Sequence, residues 1–255
     1  MNALLLAFAT PLFHSGVAVN MNNLGARALS PIANALPLRI MPLGASITFG
    51  QASTDGNGYR GSLRDQLVSG GNAVNMVGTR QHGTMRDNDV EGWPGFIIDS
   101  VHAKAQIAVP LSKPNVILIN AGTNDCLGNI NITGASDRME RMVLDLYSMS
   151  PQATVILSSL IINTNATVDS RVLVVNAEYK ALVEKLQAQN RRIVYAEMHG
   201  TDGPGMDDMH DQTHPNDNGY RMMANIWYKG LVTASNNGYI VAAEPVAGLQ
   251  DDGAI

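Results

Sequence analysis

The chain has 255 residues, with 22 Asp and Glu against 17 Lys and Arg, and its net charge of −5 denies a nucleic-acid backbone the cations it would need. Charged residues make up 15% and hydrophobic ones 45%, which excludes a disordered chain, a collagen and a coiled coil. The lone cysteine, Cys126, excludes an internal disulfide, so one α/β domain resting on its own core is the expectation for this length.

In chain order, the apolar run Ala3-Leu4-Leu5-Leu6-Ala7-Phe8-Ala9 and the small triplet Gly16-Val17-Ala18 read as a signal peptide over residues 1–18, without a basic n-region. No segment reaches the roughly 18 apolar residues of a membrane span. The sequons Asn131-Ile132-Thr133 and Asn165-Ala166-Thr167 suit a secreted, extracellular glycoprotein. Residues 19–37 show no period and read as a linker or pro-segment.

From residue 38 short apolar runs alternate with amphipathic stretches, the pattern of βα units. Strands are expected at 38–43, 73–77, 115–119, 154–161 and 192–198, each rich in the Val, Ile, Leu and Met of strands covered on both faces. Helices are expected at 59–69, 96–106, 137–148, 169–189 and 216–234, the third opened by Ser136 and the last by Asn216. Right-handed crossovers make this a three-layer α/β/α sandwich with a flavodoxin-like, five-stranded parallel sheet over 38–234. A polar tail over 235–255 completes the chain, and functional groups belong at the carboxyl ends of the strands.

Three such ends carry chemistry. The first strand runs into Gly44-Ala45-Ser46-Ile47-Thr48, which presents a hydroxyl on a glycine-bearing turn; taken alone, Ser46 reads first as a turn cap. The third runs into Gly122-Thr123-Asn124-Asp125, which reads equally as an Asx-turn. Before the last helix stands Asp211-Gln212-Thr213-His214-Pro215, where Pro215 holds His214 out of the helical region and a turn lets Asp211 reach one ring nitrogen. Hydroxyl, amide, carboxylate and imidazole on separate strand ends form a joint pattern that no single one carries.

With Glu91-Gly92-Trp93-Pro94-Gly95, these blocks resemble the SGNH, or GDSL-like, hydrolases, and most nearly the fungal-type carbohydrate esterases of family 3, the acetylxylan-esterase type. All four stand in family order over residues 38–229. The resemblance implies Ser46 as nucleophile, His214 as general base and Asp211 as its orienter. Oxyanion donors would be the Ser46 and Gly95 N–H groups and the Asn124 amide, with no metal or organic cofactor. A departure is Ala45, where the family has an aspartate able to bond within the turn. Glycine at 95 is expected so that the backbone can approach substrate.

Gly56-Asn57-Gly58-Tyr59-Arg60-Gly61 spells G-x-G-x-x-G but starts too far beyond the first strand for a dinucleotide turn. His210 and His214 have a zinc-pair spacing, with Asp202, Asp207 and Asp208 nearby, but lack the H-E-x-x-H glutamate. No G-x-S-x-G elbow occurs. Met222, Met223 and Cys126 read as core, and Trp93 equally as packing or as a platform for a sugar ring. The polar surround of Ser46, including Asp55 and Asn57, suits a hydroxylated substrate. The expected function is a secreted esterase acting on an acylated polysaccharide or small ester, with no nucleic acid or membrane as partner. A lipase, thioesterase or lysophospholipase of the same superfamily, and a non-catalytic carbohydrate-binding relative, are the alternatives.

Overall fold

Strand β1, Leu38–Gly44, is the backbone on which the rest of the molecule is laid out; the computed structural model describes residues 30–249. Its partners are β2 (Val74–Met76), β5 (Val116–Asn120) and, further along, β4 (Asp89–Gly92), all parallel to it. Beyond β5 follow β6 (Thr154–Ser158) and β7 (Ile193–Ala196), so the five long-range parallel strands stand in the order β2-β1-β5-β6-β7. That is the doubly wound flavodoxin-like order, in which the sequence reverses direction between β1 and β5 and leaves a crevice at their carboxyl ends.

A short β3 (Arg80–Gln81) pairs antiparallel with β4 and extends the sheet to seven strands, two more than the expected five. Both are too short and too polar to have an apolar signature. Pro42 sits inside the central strand β1, where a residue without an N–H ordinarily breaks a ladder. The register shows why it is tolerated there: β2 pairs with β1 only up to Ile40 and β4 only from Leu43, so Pro42 falls in the gap between them.

Helices cover both faces. On one side lie α2 (Tyr59–Ser69) and α7 (Asp217–Asn236); on the other α3 (Ile98–Ser112), α5 (Ala135–Met149) and α6 (Ala166–Ala188). The strands alternate between two cores as a pleat requires: Val116 and Leu118 pack with Tyr59, Leu63 and Trp227, whereas Ile117 and Ile119 pack with Val101, Met142 and Val172. Asn216 caps α7, accepting from the N–H groups of Asn218 and Gly219, as expected, and Asn165 caps α6 in the same way. Ser136, by contrast, lies inside α5, because a 3-10 turn over Ile132–Gly134 feeds directly into the helix and its N-cap is Gly134. Helix α3 also runs past the expected end at 106, through Pro110; this proline is exposed and close to the helix end, so the carbonyl it leaves unbonded is near solvent.

The flanks of the domain are more deeply engaged than a linker and a tail. Ile32 is buried in the α2–α7 core and its N–H donates to Asn72, while Ala33 N–H donates to Ser235. At the other end Ile240 is buried, and the carbonyls of Tyr239, Val241 and Glu244 accept from Thr154, Asn115 and Arg39. The signal-peptide expectation over residues 1–18 lies outside the described residues. Among the described residues no helix is long and apolar enough to cross a membrane.

Candidate active site

The crevice between the ends of β1 and β5 is where the sequence blocks meet. Ser46 opens α1 (Ser46–Phe49), a single turn directly after β1. Its N–H heads that turn, where no intrahelical carbonyl reaches it. The turn is held without the missing aspartate: Phe49 N–H donates to the Ala45 carbonyl, and the N–H groups of Gly50 and Gln51 both donate to the Ser46 carbonyl. Gly44 is needed here for space, since a Cβ would stand 2.2 Å from the Asn120 carbonyl oxygen and 2.3 Å from Thr48 Oγ1.

Ser46 is only 7% exposed, and its hydroxyl lies 2.9 Å from His214 Nε2. The other ring nitrogen, Nδ1, is 2.8 Å from Asp211 Oδ2 and 3.1 Å from Oδ1. Hydroxyl, imidazole and carboxylate thus form one line. The segment between Asp211 and Pro215 is a tight turn: His210 N–H donates to the His214 carbonyl and Met209 bridges Pro215. Within it Asp211 Oδ1 accepts from the N–H groups of Thr213 and His214, each at 2.7 Å. Burial alone would raise the Asp211 carboxyl, but these donors and the imidazole outweigh it and hold it below the usual carboxylate range.

The second and third blocks arrive at the same place. Trp93 N–H donates to the Gly44 carbonyl, and the chain turns at Pro94 and Gly95, closed by Phe96 N–H on the Trp93 carbonyl. Gly95 has φ +82, and nothing lies within 4 Å of an added Cβ. In the free protein the glycine therefore answers a backbone requirement of the turn and not a crowded approach. The closing bond comes from Phe96, so the Gly95 N–H is left over. Asn124 is the second residue of α4 (Thr123–Gly128), and its Nδ2 donates to the Phe96 carbonyl at 2.9 Å. An amide nitrogen carries two protons, so one remains after that bond.

The residues expected to hold substrate fare differently. Asn57 is buried; its amide nitrogen donates to Asp55, and its oxygen accepts from the N–H groups of Thr84 and Met85. Asp55 in turn accepts from Asn57 N–H, so this pair closes the loop before α2 against the 83–85 loop. Trp93 donates through Nε1 to the buried Glu91, and its ring is in contact with Phe96, Arg80 and Lys104, which favours packing over an open platform.

Two groups escaped sequence reasoning. Arg60 is buried, and its guanidinium donates to the carbonyls of Phe49, Gly56, His82 and Asn88, binding the loop after Ser46 to the 82–88 loop. Its position in the G-x-G-x-x-G stretch gave no sign of this. Asp217 accepts from both the N–H and the hydroxyl of Thr54, and Tyr220 donates to the Gln51 carbonyl at 2.6 Å. These three bonds fasten α7, just after His214, to the loop that follows Ser46.

The acids considered for a metal are scattered into other work: Asp202 pairs with Lys229, and Asp208 accepts from Gly205 N–H and Asn218. Cys126 is fully buried, and burial pushes its thiol up to about 12.

A line of hydroxyl, imidazole and carboxylate beside unused N–H donors is the constellation shared by serine hydrolases. The model of the GDSL-like Lipase/Acylhydrolase family matches residues 43–222, and the chain belongs to that family. A multidomain esterase of Ruminococcus flavefaciens is 25% identical over 234 residues, 81% of this chain and 29% of that protein, so the chain spans less than a third of its length. Among solved structures, a family 3 carbohydrate esterase of Clostridium thermocellum superposes with a TM-score of 0.71 at 22% identity, over 80% of this chain and 99% of that one. A family 3 carbohydrate esterase from Talaromyces cellulolyticus gives 0.69 at 23% identity, over 78% and 99%. At these identities the likeness is one of fold, and the two scores do not set the fungal type apart.

Proposed function

We propose that the protein is a secreted serine esterase that removes small acyl groups, acetyl above all, from carbohydrate. The observation that carries this reading is the unbroken line from Ser46 Oγ through His214 to Asp211, at 2.9 Å and 2.8 Å. A serine hydroxyl is a weak nucleophile, so His214 takes its proton as Oγ attacks the ester carbonyl. Asp211 fixes the ring so that Nε2 faces the serine and steadies the imidazolium that forms.

Charge then develops on the carbonyl oxygen. The Ser46 and Gly95 N–H groups and the remaining Asn124 N–H are the donors available to it, already oriented before the reaction starts. His214 returns the proton to the leaving sugar oxygen, which breaks the ester and leaves the acyl group on Ser46. Water, deprotonated by the same imidazole, attacks this acyl-enzyme and releases the acid and the serine. The closed chemistry involves no cofactor.

The carbohydrate part rests on the similarity to family 3 carbohydrate esterases. The test is kcat/KM for 4-nitrophenyl acetate, butyrate and octanoate, measured beside acetate release from acetylated xylan. A rate that falls with chain length, with acetate released from the polymer, is expected. A rate that climbs with chain length and no release from the polymer would make the protein a long-chain acylhydrolase of the same family. Secretion is checked by the N-terminal sequence of protein recovered from the medium.

A further inference from the structure

Beside the turn that carries Gly95 lies a row of aromatic rings and cations that ester hydrolysis does not use. Phe49, the last residue of α1, stacks on His82 at 3.8 Å. The Arg80 guanidinium lies over that same ring at 4.4 Å and over the Trp93 ring at 4.6 Å. Lys104, from α3, places its ammonium 4.0 Å from the Trp93 ring. Arg80 is thus confined between two aromatic rings, and its Nη1 is fixed by a 2.8 Å bond to the Gly92 carbonyl.

The position of this row follows from the register. Gly92, whose carbonyl holds Arg80, is paired with Gly44, two residues before Ser46, so the guanidinium is fixed beside the strand end that carries the serine. What sets the two cations apart is that neither Arg80 nor Lys104 has an ion-pairing carboxylate among the described residues. The nearby Glu91 is buried and turned inward, accepting from Thr79 N–H, the Thr79 hydroxyl and Trp93 Nε1. Asp89 accepts from Gln81. His82 is drawn down by burial and then by Arg60 and Arg80, so at neutral pH it adds no charge of its own.

We propose that Arg80 and Lys104 form an anion subsite next to the Ser46 site, and that it receives the carboxylate of a uronate on the acylated carbohydrate. A guanidinium has five N–H donors in a rigid plane, a match for the two oxygens of a carboxylate, and a plane already held by two rings loses little freedom on binding. The overall charge of −5 works against a dense polyanion, which selects a polymer bearing isolated carboxylates over a heavily sulfated one. This assignment rests on the carbohydrate-esterase reading above and specifies its substrate further.

The experiment is calorimetric binding of an unacetylated xylo-oligosaccharide bearing glucuronate, compared with the same oligosaccharide after reduction of its carboxyl group. The native protein is expected to bind the acidic form about five- to tenfold more tightly, with the difference shrinking as salt is raised. In Arg80→Met and in Lys104→Gln the difference narrows toward one. Lys104 is on the helix surface, so its variant carries the test if Arg80→Met does not fold. Equal binding of the two oligosaccharides by the native protein, or a preference that survives both substitutions, overturns the subsite. Binding needs no turnover: a uronate preference without acetate release from any polymer would leave the subsite standing and overturn the esterase reading instead.

Discussion

The Ser46 hydroxyl and the His214 imidazole reach the crevice by different means. Ser46 is carried by a central strand and a turn whose residues from Ile40 to Ile47 are all buried, and the turn is closed by backbone bonds from Phe49, Gly50 and Gln51. His214 stands on a turn at the rim, with the Asp211 side chain 47% exposed, and that turn is fastened to its surroundings largely by side chains. Asn163 donates to Thr213 on one flank, while Thr54 and Tyr220 tie α7 to the serine loop on the other. One arm is thus set by the sheet, the other by cross-links. The serine arm should be intolerant of any change, and the base arm should loosen by degrees.

The largest effect is expected at the point where the arms meet. Ser46→Ala should lower ester turnover by about 10⁶ and abolish fluorophosphonate labelling, while thermal unfolding barely changes, since the side-chain hydrogen bond removed is the one to the His214 ring. Mass mapping of the label identifies the residue, and a label on another serine would remove Ser46 from the role. Next in size is Asn124→Ala, expected to lower kcat by about 10²–10³ with KM nearly constant, because the bond it offers strengthens only as charge develops. It also releases the Phe96 carbonyl, so part of the loss is expected from a freer Gly95 turn.

Gly44→Ala probes the serine arm by itself. The added methyl would lie 2.2 Å from a backbone oxygen of β5, a contact that only a shift of β1 against β5 relieves. A cost of about 1–3 kcal/mol in unfolding free energy is expected, accompanied by loss of activity as Ser46 moves with its strand. Full activity with unchanged stability would show that the strand end is softer than its packing implies.

How far the molecule was legible in its sequence follows the same division. Strands β1, β2, β5, β6 and β7 and helix α2 were readable because each is a local run with its own pattern, and α2 begins and ends where its pattern does. The blocks around Ser46, Asn124 and His214 were readable as polar groups beside expected strand and helix ends, whereas Gly95 was picked out by the family resemblance. What stayed hidden is non-local. Arg60 gathers carbonyls from the segment after Ser46 and from the 82–88 loop, and Thr54 meets Asp217 across 163 residues, pairings to which no spacing rule applies. Asp55 and Asn57 were expected to face a substrate because they are polar and near Ser46 in sequence. Polarity does not say which way a side chain points, and here it points into the loop. The packing of Ile32 and Ile240 was masked by the polar residues around them.

The smallest expected effect tests the base arm. Asp217 accepts two bonds from Thr54, and the Thr54 N–H followed by its hydroxyl holds the carboxyl below the usual carboxylate range. A depressed pKa in the folded state means that the clamp stabilises the protein above the unfolded carboxylate value of about 3.9 and is lost as pH falls through the folded value. Asp217→Asn should therefore lower Tm slightly at pH 6, and the difference between the two proteins should close as the pH is taken below 4. The carboxylate is largely exposed, so solvent screening keeps this shift small. In catalysis the same substitution should reduce kcat only a few-fold with KM unchanged, because it frees α7 from the serine loop without touching either reacting group. A Tm difference that persists at pH 3 would show that the substitution acts through packing. A loss of kcat as large as that of Asn124→Ala would show that the rim holds His214 no less strictly than the sheet holds Ser46.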